Sequence, residues 1–276
     1  MKIGFIGQGF IGSAYADDFE NRGYETVRFA KEKPFDKNGE NIAFCDIVFI
    51  AVPTPTTPDG FSADIVEDVL RYVGEGNIAV IKSTLLPGTT DNLQKKFPNV
   101  YIMHSPEFLR AATAKEDAAN PQRNIIGYTE FSKKRAKEVL DVLPRAPYSK
   151  IMPAKSAELV KYIGNCFLAQ KVLFANLIFD LSQKLDIDYE EVKEVVGSDP
   201  RIGTSHLDID HFGGRGAGGY CFIKDLAAFS SFYREKLPED TKGIQILSGL
   251  EDKNKELLRQ TGKDINLLEG VYGAEK

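Results

Sequence analysis

The chain has 276 residues, 42% apolar and 27% charged, with a formal net charge of −5; the length fits one large domain or two ordinary ones of ~150 residues, and the composition excludes disorder. The acidic balance gives a nucleic-acid partner no general support, and the longest unbroken apolar run, residues 47–52, is six residues against the ~20 of a membrane helix. MKIGFIGQGF carries no cleavable apolar leader, and Cys45, Cys166 and Cys221 are too scattered for a disulfide framework or a zinc site, so the expectation is a reduced, cytoplasmic protein with no membrane, nucleic-acid or metal partner.

Residues 2–6 (KIGFI) read as a strand running into Gly7-Gln8-Gly9-Phe10-Ile11-Gly12. An amphipathic helix follows to Asn21, Arg22-Gly23 ends it, and a second strand covers residues 24–29. Strand, G-x-G-x-x-G, helix and strand in this order form a dinucleotide-binding pattern. Gly7 permits the tight turn, Gly9 lets the backbone approach a pyrophosphate, and Gly12 lets helix and strand pack closely. The free amides at the helix start attract the phosphates. The acid that usually follows the second strand and binds the ribose is missing: Ala30 stands there, followed by Lys31, Glu32 and Lys33. Glu32 or Asp36 takes that role from the loop, or the two lysines select a 2′-phosphate, or they are simply solvated. NAD is the expected cofactor, with NADP left open.

Further strands are read at 46–52, 78–82, 100–104, 124–127 and, more weakly, 148–151, with helices at 63–73 and 131–143. This alternation implies a parallel, doubly wound Rossmann-type α/β sheet whose ligands bind beyond the strands' carboxyl ends. The loops there are Pro53-Thr54-Pro55-Thr56, residues 83–88 (STLLPG) and residues 105–108 (SPEF), and they read as the lining of a cleft. From Pro153 the pattern turns helical. Residues 154–184 carry apolar side chains near helical spacing, enough for one helix of ~45 Å, with Lys161 and Asn165 four apart on one face. Residues 212–225 (FGGRGAGGYCFIKD) hold five glycines and lead into a helix over 222–234. Cys221 therefore sits at a helix N-terminus, where free amides and the macrodipole favour the thiolate. Lys224 and Asp225, three and four residues on, fall on the thiol's side of that helix. Cys45 and Cys166 are set among packing residues and read as buried. A last helix covers 244–259, and residues 262–276 read as a loose polar tail. The three histidines, His104, His206 and His211, are too dispersed for a metal site.

In chain order, GQGFIG, VPTPT, KSTLLPGTT, SPEFLR, NPQR, AELVKYIGNCFLAQ, DPRIG and GGYCFIKD resemble the motifs of the UDP-glucose/GDP-mannose dehydrogenase family over most of the chain. The resemblance implies oxidation of a sugar primary alcohol to a carboxylate with reduction of two NAD, through a cysteine thiohemiacetal and thioester. It implies that Cys221 is the nucleophile and that Lys161 and Asn165 steady the oxyanion. Asp225 works with that lysine and a water, Glu107 acts as base in thioester hydrolysis, and Thr84 positions water beside the nicotinamide. Gly7, Gly9, Phe10, Ile11, Gly12, Thr54, Thr84 and Lys224 correspond to cofactor contacts. Glu107, Phe108, Leu109, Lys161, Asn165, Asp210, Gly214, Gly218 and Arg201 correspond to substrate contacts, Arg201 reaching a neighbouring subunit. The implied organisation is an NAD(P)-binding domain at 1–152 and a helical, homodimerising domain at 153–276, with the family's third, UDP-binding domain absent.

Departures from the pattern fall on recognition. Ala30 and Ala111 replace usual acids, and the connection over residues 31–45 is short. Three readings follow: a compact nucleotide-sugar dehydrogenase acting on a nucleotide sugar or a smaller alcohol, a two-domain β-hydroxyacid-type dehydrogenase, and a non-catalytic protein that keeps the fold. The intact Cys221, Lys161, Asn165, Glu107 and Asp225 favour the first.

Overall fold

The computed structural model describes residues 1–274. The chain divides into two compact units, Met1–Pro55 with Ser62–Lys161 and Thr56–Phe61 with Tyr162–Lys276, each described by itself. In chain order the elements are β1 (Lys2–Ile6), α1 (Phe10–Asn21), β2 (Glu25–Phe29), α2 (Gly39–Ile42), β3 (Ile47–Ile50), β4 (Thr56–Thr57), β5 (Gly60–Phe61), α3 (Asp64–Leu70), β6 (Ile78–Ile81), α4 (Thr89–Lys96) and β7 (Tyr101–His104). They continue as α5 (Ala114–Ala119), β8 (Arg123–Tyr128), α6 (Ala136–Val142), β9 (Tyr148–Pro153), α7 (Ala154–Lys184), α8 (Tyr189–Gly197), α9 (Gly219–Lys236), α10 (Thr241–Thr261) and α11 (Ile265–Tyr272).

In the first unit seven strands form one sheet in the order β2-β1-β3-β6-β7-β8-β9. β3 and β6 are buried along their whole length, as strands covered on both faces must be. Phe5, Phe19 and Phe49 meet with ring centroids 5.3–5.5 Å apart and tie α1 to the sheet. The sheet is not wholly parallel as expected. β8 runs antiparallel to β7, pairing Met103 with Tyr128 and His104 with Gly127, because residues 105–122 return to the sheet at the edge they left and make no crossover. An apolar run carries no mark of direction. The helix expected over 131–143 opens instead as a 3₁₀ turn, Lys133–Arg135, before α6. The Thr129 and Ser132 side chains each accept from the other's backbone N–H, at 2.9 and 3.2 Å, and hold that turn.

α7 has the bounds expected from the pattern, but the unit boundary lies inside it, at 161/162 rather than 152/153. Ala154, Ala157 and Glu158 are buried, and Glu158 is hydrogen-bonded to Gly88 and Thr90 of the first unit, so the first two turns of α7 belong there. Among the described residues α7 is also long and apolar enough to cross a membrane by length and composition, and 39% of its most apolar stretch is buried. A criterion of unbroken apolar runs misses it because Asn165, Gln170 and Lys171 interrupt the run.

The second unit packs α9, α10 and α11 around Ile223, Ala227, Leu258, Leu268 and Val271, with the β4–β5 hairpin against α9 and α11. Residues 262–274 are therefore no loose tail. Apolar side chains at Leu267, Leu268, Val271 and Tyr272 give one helical face, which closes this core as α11. Glu275 and Lys276, also expected to be tail, lie outside the described residues.

Candidate active site

The loops after β1, β3, β6 and β7 leave the first unit's sheet at one edge, beside the reversal of strand order between β1 and β3. Gly7 sits at φ +88°, and a Cβ there would lie 2.3 Å from the Ala51 carbonyl oxygen. A Cβ on Gly12 would lie 1.9 Å from the Gly7 carbonyl oxygen, so α1 approaches β1 as only glycine allows. Around Gly9 the space is open, and a Cβ on that residue would meet no atom within 4 Å. Gly9 also caps α1 without any side-chain hydrogen bond or acidic residue in the first turn. These residues fit a dinucleotide's pyrophosphate: open space, free amides and the positive end of a helix coincide. Phe10 is exposed and Ile11 half-buried at that helix start, Thr54 is buried, and Thr84 is half-buried. The loops after β3 and β6 are tied by Ser83, whose Oγ accepts from Val52 N (3.1 Å) and donates to Val52 O (2.6 Å). Ala30 is buried at the end of β2 with Lys31, Glu32 and Lys33 exposed beyond it.

Glu107 is 6% exposed. Its Oε1 accepts from the backbone N–H groups of Phe108 (2.6 Å) and Leu109 (2.9 Å), and its Oε2 lies 3.0 Å from the ammonium of buried Lys82. Lys82 also bonds Tyr15 Oη (3.1 Å) and Ser105 Oγ (3.3 Å). Burial, and next the Glu107 charge, pushes the Tyr15 phenol well up. His104 is fully buried, and neither ring nitrogen has a well-formed hydrogen-bond partner among the described residues. Burial, with Lys82 beside it, lowers this imidazole to about 3 and keeps it neutral. Two cations lie near the Phe108 ring, the Arg123 guanidinium at 3.7 Å and the Lys161 ammonium at 5.7 Å from its centre.

In the second unit Cys221 is the third residue of α9 and is exposed. Lys224 and Asp225 are 4% and 0% exposed, so the helix face they share is turned into the unit while the thiol faces out. Asp225 Oδ1 lies 2.5 Å from Lys224 Nζ and Oδ2 accepts from Asn165 Nδ2 at 2.5 Å. The expected cofactor contact Lys224 is thus the carboxylate's ion-pair partner. Cys166 donates to the Asp225 carbonyl (3.7 Å), and burial pushes its thiol up to about 12; Cys45 is buried and raised to about 11 for the same reason. Arg201 is exposed and holds Asp199 with two guanidinium nitrogens. Asp210 accepts from the Gly213 N–H at 3.1 Å, and Gly214 and Gly218 are half or fully buried. Sequence reasoning misses Lys82, Glu158, Asn254, Lys263 and Asp264. A charged residue closing an all-apolar strand, as Lys82 does after IAVI, is the one available signal.

The fold and the glycine turn define a dinucleotide-binding protein. Residues 27–143 match the NAD binding domain of the UDP-glucose/GDP-mannose dehydrogenase family and residues 155–256 match its central domain, and the chain belongs to that family; its cofactor is NAD. It is 30% identical to the UDP-glucose 6-dehydrogenase of Rhizobium meliloti (strain 1021) over 83% of this chain and 62% of that protein. It is 34% identical to the UDP-glucose 6-dehydrogenase of Pseudomonas aeruginosa over 80% of this chain and 52% of that one. The chain thus spans little more than half the length of these relatives. The structure of a UDP-glucose dehydrogenase from Pyrobaculum islandicum superimposes with a TM-score of 0.81 at 30% identity, covering 100% of this chain and 72% of that one. The 3-hydroxyisobutyrate dehydrogenase of Mycobacterium tuberculosis, matched over 98% of both chains with a TM-score of 0.71 and 16% identity, shares the fold.

Proposed function

We propose that the protein is an NAD-dependent nucleotide-sugar dehydrogenase that converts a sugar primary alcohol to a carboxylate through Cys221. The observation that carries this reading is the contrast among three thiols: Cys45 is buried and Cys166, expected to be buried, is half-buried, and both are held protonated, while Cys221 is exposed at a helix N-terminus behind a glycine-rich loop. NAD, when bound, would supply the hydride acceptor for the alcohol carbon, and a second NAD that for the thiohemiacetal carbon. In the first step the hydroxyl proton leaves to water as the aldehyde forms. The Cys221 sulfur then adds to the aldehyde carbon, and the resulting oxygen is steadied by the Lys161 charge and an Asn165 N–H. Loss of the second hydride leaves a thioester. Glu107 takes a proton from the water that attacks it, the C–S bond breaks, and the thiol returns with the carboxylate product. Asp225, fixed by Lys224 and Asn165, holds the Asn165 amide in place for that role.

The test is the stoichiometry with UDP-glucose as probe. Two NADH per acid are expected, with none from Cys221→Ser while NAD still binds that variant; one NADH per product, or full turnover by Cys221→Ser, overturns the reading. A homodimer is part of the same proposal. In the second unit Ile163, Phe167, Phe174, Leu177 and Leu181 form an exposed row along α7, 47–66% exposed, an apolar stripe at helical spacing suited to a second copy. Sedimentation of a monomer at micromolar concentration would count against it.

A further inference from the structure

The peptide groups of the loop before α9 are held by side chains from α10 and the turn that follows it. Lys263 donates to the carbonyls of Gly214 (3.2 Å) and Gly216 (3.0 Å). The side-chain amide of Asn254 pairs with both backbone groups of Ala217, accepting from its N–H at 2.8 Å and donating to its carbonyl at 3.0 Å. Thr261 Oγ1 accepts from Arg215 N at 3.2 Å, and Asp264 Oδ2 accepts from Gly219 N at 2.7 Å. Gly219 is the first residue of α9 and Cys221 the third, so the last of these bonds is two residues from the thiol.

Three features mark this as more than a surface turn. Asn254 and Lys263 are 3% and 7% exposed, so each bond is made away from water, where an unpaired partner is strongly disfavoured. The Lys263 ammonium makes no ion pair among the described residues, and its two bonds are to the loop carbonyls. Burial lowers this ammonium in keeping with that setting. The approach is also too close for any side chain at Gly218, whose Cβ would fall 2.3 Å from Asp264 Oδ2 and 2.5 Å from Lys263 Cε. Asp264 itself is held at φ +53°, a left-handed conformation unusual for a residue with a Cβ, immediately before α11. The packing of α11 against α9 through Leu268, Val271 and Ile223 anchors the turn.

We propose that Asn254, Lys263 and Asp264 are positioning residues for Cys221: they lock the glycine-rich loop and so fix where the thiol is presented for attack. The proposal rests on the reading of Cys221 as the nucleophile. Its substitution is Lys263→Met, which keeps the length of the side chain, takes the lysine donor from the buried Gly216 carbonyl and leaves the Gly214 carbonyl only the His211 N–H. Amide exchange at Ala217 and Gly219 should quicken by about tenfold while residues 226–230 inside α9 are unchanged. With UDP-glucose as probe, kcat should fall by about a hundredfold at an unchanged KM for NAD, the scale of a slightly misplaced reacting group. Lys263→Arg, which can reach both carbonyls, should recover most of the loss, and iodoacetamide should label Cys221 at the native rate in both variants. If Lys263→Met does not fold, the pair Asp264→Ala and Asp264→Asn makes the same test, since only the amide keeps an acceptor for the Gly219 N–H. Unchanged exchange overturns the clamp, and faster exchange with unchanged kcat overturns its positioning role. Turnover by Cys221→Ser would instead overturn the nucleophile assignment, and the exchange result would still decide the clamp.

Discussion

Two glycine loops in this chain lead into helix N-termini, and they are built in opposite ways. The turn after β1 is set by the backbone: Gly7 N donates to Phe29 O and Ala51 N to Ile6 O, at 2.9 and 2.8 Å, and no side chain caps α1. The loop before α9 is set by side chains, and Asp264 occupies the first amide of the helix. A loop left with free amides and open space can receive an anion from outside. A loop whose amides and carbonyls are already taken can instead hold a reactive side chain still. The same residue type therefore serves recognition in one unit and immobilisation in the other.

The larger difference between the two regions lies at the sheet edge that carries the open loop. His104 ends β7 at that edge, buried and without a well-formed partner among the described residues. Its folded value of about 3 lies below the ordinary 6.5 of an imidazole in water. Between those limits the unfolded chain binds a proton that the folded chain excludes, so stability is full above pH 6.5 and falls as pH drops toward 3. From about pH 6.5 to about pH 5 the loss amounts to about 2 kcal/mol at about 1.4 kcal/mol per unit. His104→Leu removes the titrating group, and its urea midpoint should fall less between about pH 7.5 and about pH 5 than that of the native protein. An equal fall in both proteins would remove His104 from the account. The cysteine loop, held by Asn254, Thr261 and Lys263, should keep its amide protection across this range.

How much of this is legible in the sequence depends on whether a feature is local. The strand–glycine–helix entry and the full span of α7 follow from spacing within a few turns of chain, and both agree with the structure. The direction of β8 is hidden because it depends on where residues 105–122 end, and no period reports that. The C-terminal segment resembles a tail because its glycines and charges outweigh an apolar face of four residues, Leu267, Leu268, Val271 and Tyr272. Lys263 and Asp264 are invisible for a further reason. Their partners lie 45 to 49 residues away in sequence, and a lysine after a helix-ending glycine looks solvated until the loop it binds is in place.

The comparison is sharpest when one methyl group is added to each loop. Gly9→Ala places it in open space on a residue already in extended conformation, φ −70° and ψ −173°, which alanine adopts freely. Alanine is a poorer cap than glycine, so stability should fall by about 1 kcal/mol or less. NAD, however, must bring its pyrophosphate against that backbone, and calorimetry should show weaker binding by about tenfold or more, because the methyl takes the space of the closest approach. Gly218→Ala puts the same methyl against Asp264 and Lys263. There the turn has to move, stability should fall by about 1–3 kcal/mol as in other overpacked sites, and NAD affinity should stay native. The two variants should therefore exchange phenotypes: binding lost with folding kept in the first, folding weakened with binding kept in the second. If Gly218→Ala weakened NAD binding as much as Gly9→Ala does, the two loops would not have separate tasks, and the division between an open amide cradle and a clamped thiol loop would fail.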